Sequence, residues 1–288
     1  MLKEFIKKII PDKLYLKFIY KIKIGKSLNL KNPKTFNEKL QWLKLYDRNP
    51  LYTKLVDKYE VKDYVANIIG KEHVIPTIGV YDSFDDINFK KLPKQFVIKC
   101  THDSGGLVIV KDKNKLDIEK AKKKINKSLK KNYYYCGREW PYKNVQPRII
   151  IEKYMEDNKT KELRDYKFFC FNGEMKFFKI DFNRLIYHRA NYYNKSGVLL
   201  KFGEKVCPPD YEKKLEMPTN LKKMIKLAET LSKNVRFLRV DFYEINGEVY
   251  FGELTFFPAS GFGKFVPSNW DEKLGKYIDL SLVNKNEK

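Results

Sequence analysis

The segment Arg239-Val240-Asp241-Phe242-Tyr243-Glu244-Ile245-Asn246-Gly247-Glu248-Val249-Tyr250-Phe251-Gly252-Glu253-Leu254-Thr255 constrains this chain more than any other. Asn-Gly between two runs of alternating residues predicts a β-hairpin. Two turns are compatible with it. A two-residue turn at Asn246-Gly247 sets Asp241 opposite Gly252 and Glu253 opposite Val240, so the carboxylates face opposite sides. A three-residue loop over 245–247, with Gly247 left-handed, pairs Asp241 with Phe251 and Arg239 with Glu253. Arg239, Asp241, Glu253 and Thr255 then share one face, and Leu238, Val240, Phe242, Tyr250 and Leu254 share the other. The second register buries only apolar residues and is the expectation here. It sets the two acids on a diagonal, roughly 7 Å apart at the backbone, within reach of one divalent metal. A solvated polar face is the plainer alternative.

The chain has 288 residues, 43% hydrophobic, enough for a substantial core in one domain of several lobes or in two domains. No long uncharged apolar run offers a membrane span. Lysines interrupt residues 1–24 throughout, so no signal peptide is expected. Cys100, Cys136, Cys170 and Cys207 are widely spaced, as fits reduced thiols and a cytoplasmic protein. His73, His102 and His188 have no zinc-like spacing. The net charge of +23 calls for an anionic partner. No helix-turn-helix, finger or RNP-like pattern supports nucleic acid. An anionic small molecule, glycan or membrane surface fits the charge equally well.

Along the chain, residues 2–24 read as basic amphipathic helices, either docked on the body or lying at a membrane surface. Thr35-Phe36-Asn37-Glu38 is a capping-box signal. One helix is expected over 51–69, strands over 73–80, 95–100 and 107–110, and a lysine-rich helix over 117–131. Residues 148–154 read as an apolar strand. A second Asn-Gly hairpin spans 164–180, further strand lies in 191–202, and a helix covers 218–233. Helices and antiparallel strands without βαβ alternation indicate an α+β fold. The expected division is an N-terminal helical region over 1–50, then one domain over 51–288, with lobes at 51–148 and 149–288.

Lys99 ends a strand, Ser104-Gly105-Gly106 turns, and another strand begins. Glycines let backbone amides approach phosphate, and a nearby lysine offsets its charge. An ordinary hairpin turn is the alternative. His102-Asp103 reads as a structural loop pair. In order, the chain offers Asp57-Lys58, Lys99 with the Ser-Gly-Gly turn, Ile149-Ile150-Ile151-Glu152-Lys153-Tyr154, and the two-acid hairpin. This order resembles the ATP-grasp superfamily, in which two lobes with antiparallel sheets hold ATP between them. Asn32-Pro33-Lys34-Thr35-Phe36-Asn37-Glu38-Lys39-Leu40-Gln41-Trp42, Arg164-Asp165-Tyr166-Lys167 and Glu253-Leu254-Thr255-Phe256-Phe257-Pro258 are similar to the TupA-like ATP-grasp family, named for teichuronopeptide synthesis.

The resemblance implies that Lys58 and Lys99 touch ATP and that Ser104, Gly105 and Gly106 form a flap over its phosphates. It makes Glu152, Lys153 and Tyr154 a hinge that pairs the adenine edge through backbone groups. Asp241 and Glu253 would hold Mg2+, with Thr255, standing where many relatives carry Asn, as a weaker oxygen ligand. Arg239 is the first candidate for the transferring phosphoryl group, with a structural partnership to Glu253 as the alternative. Arg164 is a further arginine candidate, and Arg184 and Arg189 are substrate-side candidates. The implied activity is an ATP-dependent carboxylate–amine ligase. It would join an amino acid or amine to a uronic-acid carboxylate of a surface polysaccharide or its lipid-linked precursor, in the cytoplasm or at the inner face of the membrane. An ATP-dependent kinase or glycosyltransferase-pathway enzyme, and a non-catalytic binding protein, are the alternatives.

Overall fold

The computed structural model describes residues 9–159, 163–183 and 187–281. In chain order these form α1 (Asp12–Ile24), α2 (Phe36–Tyr46), α3 (Leu51–Val56), α4 (Glu60–Ile69), β1 (Thr77–Tyr81), β2 (Phe96–Cys100), β3 (Leu107–Val110), α5 (Ile118–Leu129) and β4 (Ile149–Lys153). There follow β5 (Asp165–Phe171), β6 (Glu174–Phe182), β7 (Arg189–Asn194), β8 (Leu199–Leu200), β9 (Gly203–Glu204), α6 (Leu221–Leu231), β10 (Phe237–Ile245), β11 (Glu248–Thr255), β12 (Phe265–Val266) and α7 (Trp270–Gly275), with short single-turn helices between. The chain divides into two compact units, 48–163 on one hand and 1–47 with 164–288 on the other.

The 48–163 unit is built on an antiparallel sheet of order β1-β4-β2-β3. Alternation in β2 buries Phe96, Ile98 and Cys100, which meet Ile149 and Ile151 of β4 and Ala121 and Ile125 of α5. Asp117 caps α5 by accepting the Lys120 N–H at 2.9 Å, and the helix's lysines mostly face water. The single helix expected over 51–69 is two helices. Asp57 breaks it by accepting N–H bonds from Tyr59 (2.7 Å) and Glu60 (3.1 Å), a local alternative to continued helix. β4 lies between β1 and β2, so the lobe boundary expected at 148/149 falls instead at 163/164.

The second unit carries a six-stranded antiparallel sheet, β11-β10-β5-β6-β7-β8. One face buries Phe168, Phe178, Val240 and Phe242, and α6 contributes buried Met224, Ala228 and Leu231 to this unit's core. On the other face Phe36 of α2 meets Phe237 edge-on at 5.0 Å and Phe171 at 6.1 Å. Residues 1–47 are thus part of this unit, not a region apart. The Thr35/Glu38 capping box forms as expected. The same helix then pins the loop after β11: Asn37 donates to Gly263 O at 2.7 Å, Gln41 to Gly261 O at 2.6 Å and Lys44 to Ser260 O at 2.7 Å.

Candidate active site

The hairpin turn is not the three-residue loop expected. Ile245 pairs with Glu248, and Asn246 (φ 53°) and Gly247 (φ 82°) form the two-residue turn between them. Left uninterrupted, that turn would separate the acids. The register shifts by one between Asp241 and Phe242, leaving Gly252 as the extra residue of a β-bulge. Beyond it Asp241 pairs directly with Glu253 and Arg239 with Thr255. The four residues share one face, as expected, by a different route. The apolar face holds Phe251 where Tyr250 was expected. A β-carbon on Gly252 would stand 3.1 Å from both Asp241 O and the Tyr243 ring.

Arg239 organises this face. Its Nε and Nη2 each donate to Asp241 at 2.7 Å, and Nη2 also reaches Glu253 Oε1 at 2.7 Å. The Thr255 hydroxyl donates to Glu253 Oε1 at 3.3 Å, so it sits beside the carboxylate as a support. Asp241 is fully buried, whereas the Glu253 side chain is 48% exposed. Burial alone would push the Asp241 carboxyl up, but Arg239 and Lys167 outweigh it and hold it below the usual range.

The sheet extends this array inward. Lys167 lies within 3.1 Å of Asp165, 3.2 Å of Asp181 and 3.3 Å of Asp241. Lys179 joins Asp181 (3.5 Å) and Glu204 (3.3 Å). Burial would lower both lysines, but their carboxylate neighbours hold both above the ordinary value. Among the described residues, five carboxylates (Asp165, Asp181, Glu204, Asp241, Glu253) thus face three lasting cations (Lys167, Lys179, Arg239). The donors are hard oxygens, which suits magnesium at the open end, Asp241 and Glu253. Donor atoms of Asp181, His188 and Cys207 also lie within 4.8 Å of one another. Two lysines already face Asp181, and burial pushes the Cys207 thiol up to about 11, so this trio reads as part of the ion-pair array and not as a metal centre.

In the other unit, Glu152 is buried between two ammonium groups. Lys99 approaches it at 2.5 Å and Lys62 pairs with its other oxygen. Burial would raise the Glu152 carboxyl, but Lys99 and Lys62 hold it below its ordinary value; burial dominates at Lys62 and lowers it. Lys62 also donates to Ile75 O at 2.7 Å. Lys58 donates to Asp103 O, and Asp103 accepts from the Ser128 hydroxyl. His102 donates to Ser128 O (3.2 Å) and Lys131 O (3.1 Å), as befits a structural pair. These bonds anchor the turn on α5, while Ser104 and Gly105 (φ 119°) face solvent and Gly106 is buried.

The hinge expectation narrows. Glu152 and Lys153 pair within the sheet, and the Lys153 N–H donates to Pro76 O at 3.0 Å. Only from Tyr154 onward does the backbone leave the ladder. The Tyr154 hydroxyl donates to Glu156 at 2.6 Å. Arg189 stands apart from the ion array, donating to Pro209 O at 3.1 Å with its guanidinium 4.4 Å from the Tyr187 ring centroid. Arg164 is half-buried just ahead of β5. Arg184 lies outside the described residues.

Sequence reasoning assigned no role to Lys62, Lys167, Lys179, Asp181 or Glu204. Lys167 with Asp165, and Lys179 with Asp181, alternate at period two on either side of Asn172-Gly173, a visible signal that they share a face. Lys62 had no comparable signal.

Residues 38–279 match the family described as TupA-like ATPgrasp. No curated protein matches the chain. Among solved structures it is similar to D-alanine–D-alanine ligase from Bacillus anthracis complexed with ATP, at 18% identity over 70% of this chain and 54% of that one, TM-score 0.42. The corresponding Helicobacter pylori ligase is 15% identical over 70% of its own chain and 86% of this one, TM-score 0.42. An L-amino acid ligase from Bacillus licheniformis is 12% identical over 81% of this chain and 50% of that one, TM-score 0.44. The chain spans about half the length of the first and last of these. On the family match, which covers most of its length, the chain belongs to the TupA-like ATP-grasp family.

Proposed function

We propose that the protein is an ATP-dependent carboxylate–amine ligase working through an acyl phosphate. The observation that carries this is the cross-strand pairing of Asp241 with Glu253 at the open end of a buried array of carboxylates and cations. A carboxylate is a poor electrophile at neutral pH. Its oxygen attacks the γ-phosphorus of ATP and ADP leaves; the amine nitrogen then attacks the carbonyl carbon, loses a proton and expels phosphate. Magnesium held by Asp241 and Glu253 offsets charge on phosphate oxygens when bound. Lys99 and Lys62 bring ammonium charge to the nucleotide phosphates, with Glu152 holding both in place. Ser104 and Gly105 present backbone N–H groups and limit water. Arg239 keeps Asp241 ionised and aligns both acids, and Thr255 supports Glu253. Lys58 acts on the nucleotide through the Asp103 turn it holds. Tyr154 and the residues after it offer the backbone edge for adenine. Arg164, Arg184 and Arg189 are candidates for the acceptor.

The acceptor we propose is the uronic-acid carboxylate of an envelope polysaccharide or its lipid-linked precursor, and the donor an amino acid or other amine. The net charge of +23 favours such a polyanion over a neutral sugar. The test is phosphate release from ATP with magnesium and uronic-acid oligosaccharides, with hydroxylamine added to trap an acyl phosphate. A hydroxamate on the uronic acid supports the reading. A stable phosphorylated sugar without hydroxamate would instead make the protein a kinase.

A further inference from the structure

The apolar side chains that stand furthest into solvent gather on one helix. Leu14, Phe18 and Ile22 of α1 are 60, 66 and 62% exposed, and Ile9 just ahead of the helix is 63% exposed. Among the described residues, Val206 is the one other large apolar side chain so exposed, at 73%. Spacing of four residues sets the three helix positions in a stripe, about 12 Å long at roughly 1.5 Å per residue. Lys13, Lys17 and Lys21 repeat that spacing one position earlier and are all exposed, so a row of ammonium groups runs beside the stripe. The opposite face buries Tyr15, Leu16 and Tyr20 with Leu28 and Phe262. The helix therefore has two apolar faces, one packed on its own unit and one turned to water. Docking on the body accounts for the inner face and leaves the outer one exposed.

Charge decides what covers the outer face. Lysine stems extend apolar surface while their heads stay at the polar boundary, where lipid phosphates lie. The whole chain adds its own excess of 59 Lys and Arg over 36 Asp and Glu. A second copy of the chain would bring the same lysine row against itself. Among the described residues no helix is long and apolar enough to cross a membrane, so the contact is peripheral. We propose that Leu14, Phe18 and Ile22, with Lys13, Lys17 and Lys21 beside them, dock the protein on an anionic phospholipid surface. This inference needs no nucleotide and stands whether or not the ligase reading does.

The test is co-sedimentation of the full chain with vesicles of phosphatidylcholine alone, and of phosphatidylcholine with phosphatidylglycerol, at low and high salt. Binding is expected to the anionic vesicles only and to weaken with salt. Replacing Lys13, Lys17 and Lys21 by Gln is expected to weaken it roughly a hundredfold. Replacing Leu14, Phe18 and Ile22 by Ser is expected to weaken it about tenfold or more, with circular dichroism and magnesium-dependent turnover unchanged. Phe18→Trp keeps the stripe intact and should give an emission that shifts to the blue on anionic vesicles. Failure of the full chain to bind them at low salt would overturn the proposal. So would undiminished binding by the serine variant, or vesicle binding without a blue shift in F18W, since either puts the attraction on the body's charge. A dimer in sedimentation equilibrium that the serine variant abolishes, without lipid binding, would assign the face to a second copy.

Discussion

Glu152 is a carboxylate sealed between the ammonium groups of Lys99 and Lys62, and its protonation state is worth more to the fold than its size. Its folded value lies below its ordinary 4.5. The stability it contributes is therefore fully present above about pH 4.5 and is lost as pH falls through the depressed folded value. Glu152→Gln should flatten that part of the acid limb in a pH series of thermal melts. At neutral pH it should cost about 3 kcal/mol or more, because buried Lys62 and half-buried Lys99 lose their shared partner. Glu253 gives the opposite result. Its side chain is half exposed and its tie to Arg239 lies at the rim, so Glu253→Gln should change urea stability by no more than about 1 kcal/mol. Magnesium-dependent ATP turnover should nonetheless fall roughly a hundredfold, the scale of one lost charged contact to a transition state. Lys99→Ala should lose turnover comparably. A variant at either position that turns over ATP normally would move the site elsewhere. That the acids share one face was legible from the split into polar and apolar residues, although the bulge that produces it was not. Lys62 was not, because its partner lies 90 positions away in sequence and no local pattern records it.

Both polar hairpins use the same device. Asn172-Gly173 and Asn246-Gly247 each make a two-residue turn with both residues at positive φ. Each is followed by a one-residue shift, between Phe169 and Cys170 and between Asp241 and Phe242. The places of both hairpins were legible because left-handed geometry is carried by the Asn-Gly pair itself, but at Asn246-Gly247 a three-residue loop was expected and a two-residue turn formed. The bulges were not legible, since a bulge is stabilised by what packs beyond the hairpin. Its effect is large: one residue of slip moves every later side chain to the other face. Gly252→Ala should therefore be costly, because the added carbon meets a backbone carbonyl and the Tyr243 ring at 3.1 Å. A loss of about 1–3 kcal/mol in urea denaturation is expected, with reduced ATP turnover as Glu253 is turned from Asp241.

At the scale of the whole molecule, residues 1–47 and 164–288 form one unit although 116 residues separate them in sequence. Removing 1–47 would strip Phe36 from Phe171 and Phe237 and unpin the loop at 258–263. The truncated chain is expected to be insoluble or to bind a hydrophobic dye, whereas a soluble chain with native near-ultraviolet dichroism would show the helices to be dispensable. The sequence by itself determined the α+β class, the capping box at Thr35, the positions of both Asn-Gly hairpins, the shared face of Arg239, Asp241, Glu253 and Thr255, and the family resemblance. All of these rest on signals within a few residues, where backbone preference and alternation act. Tertiary structure decided the bulges, the unit boundary at 163/164, the Lys62–Glu152–Lys99 cluster, and the anchoring of the loop after β11 by Asn37, Gln41 and Lys44. Those depend on burial and charge compensation between segments remote in sequence. A buried ion takes whichever partner the fold brings within a few ångströms, and no spacing along the chain encodes that distance.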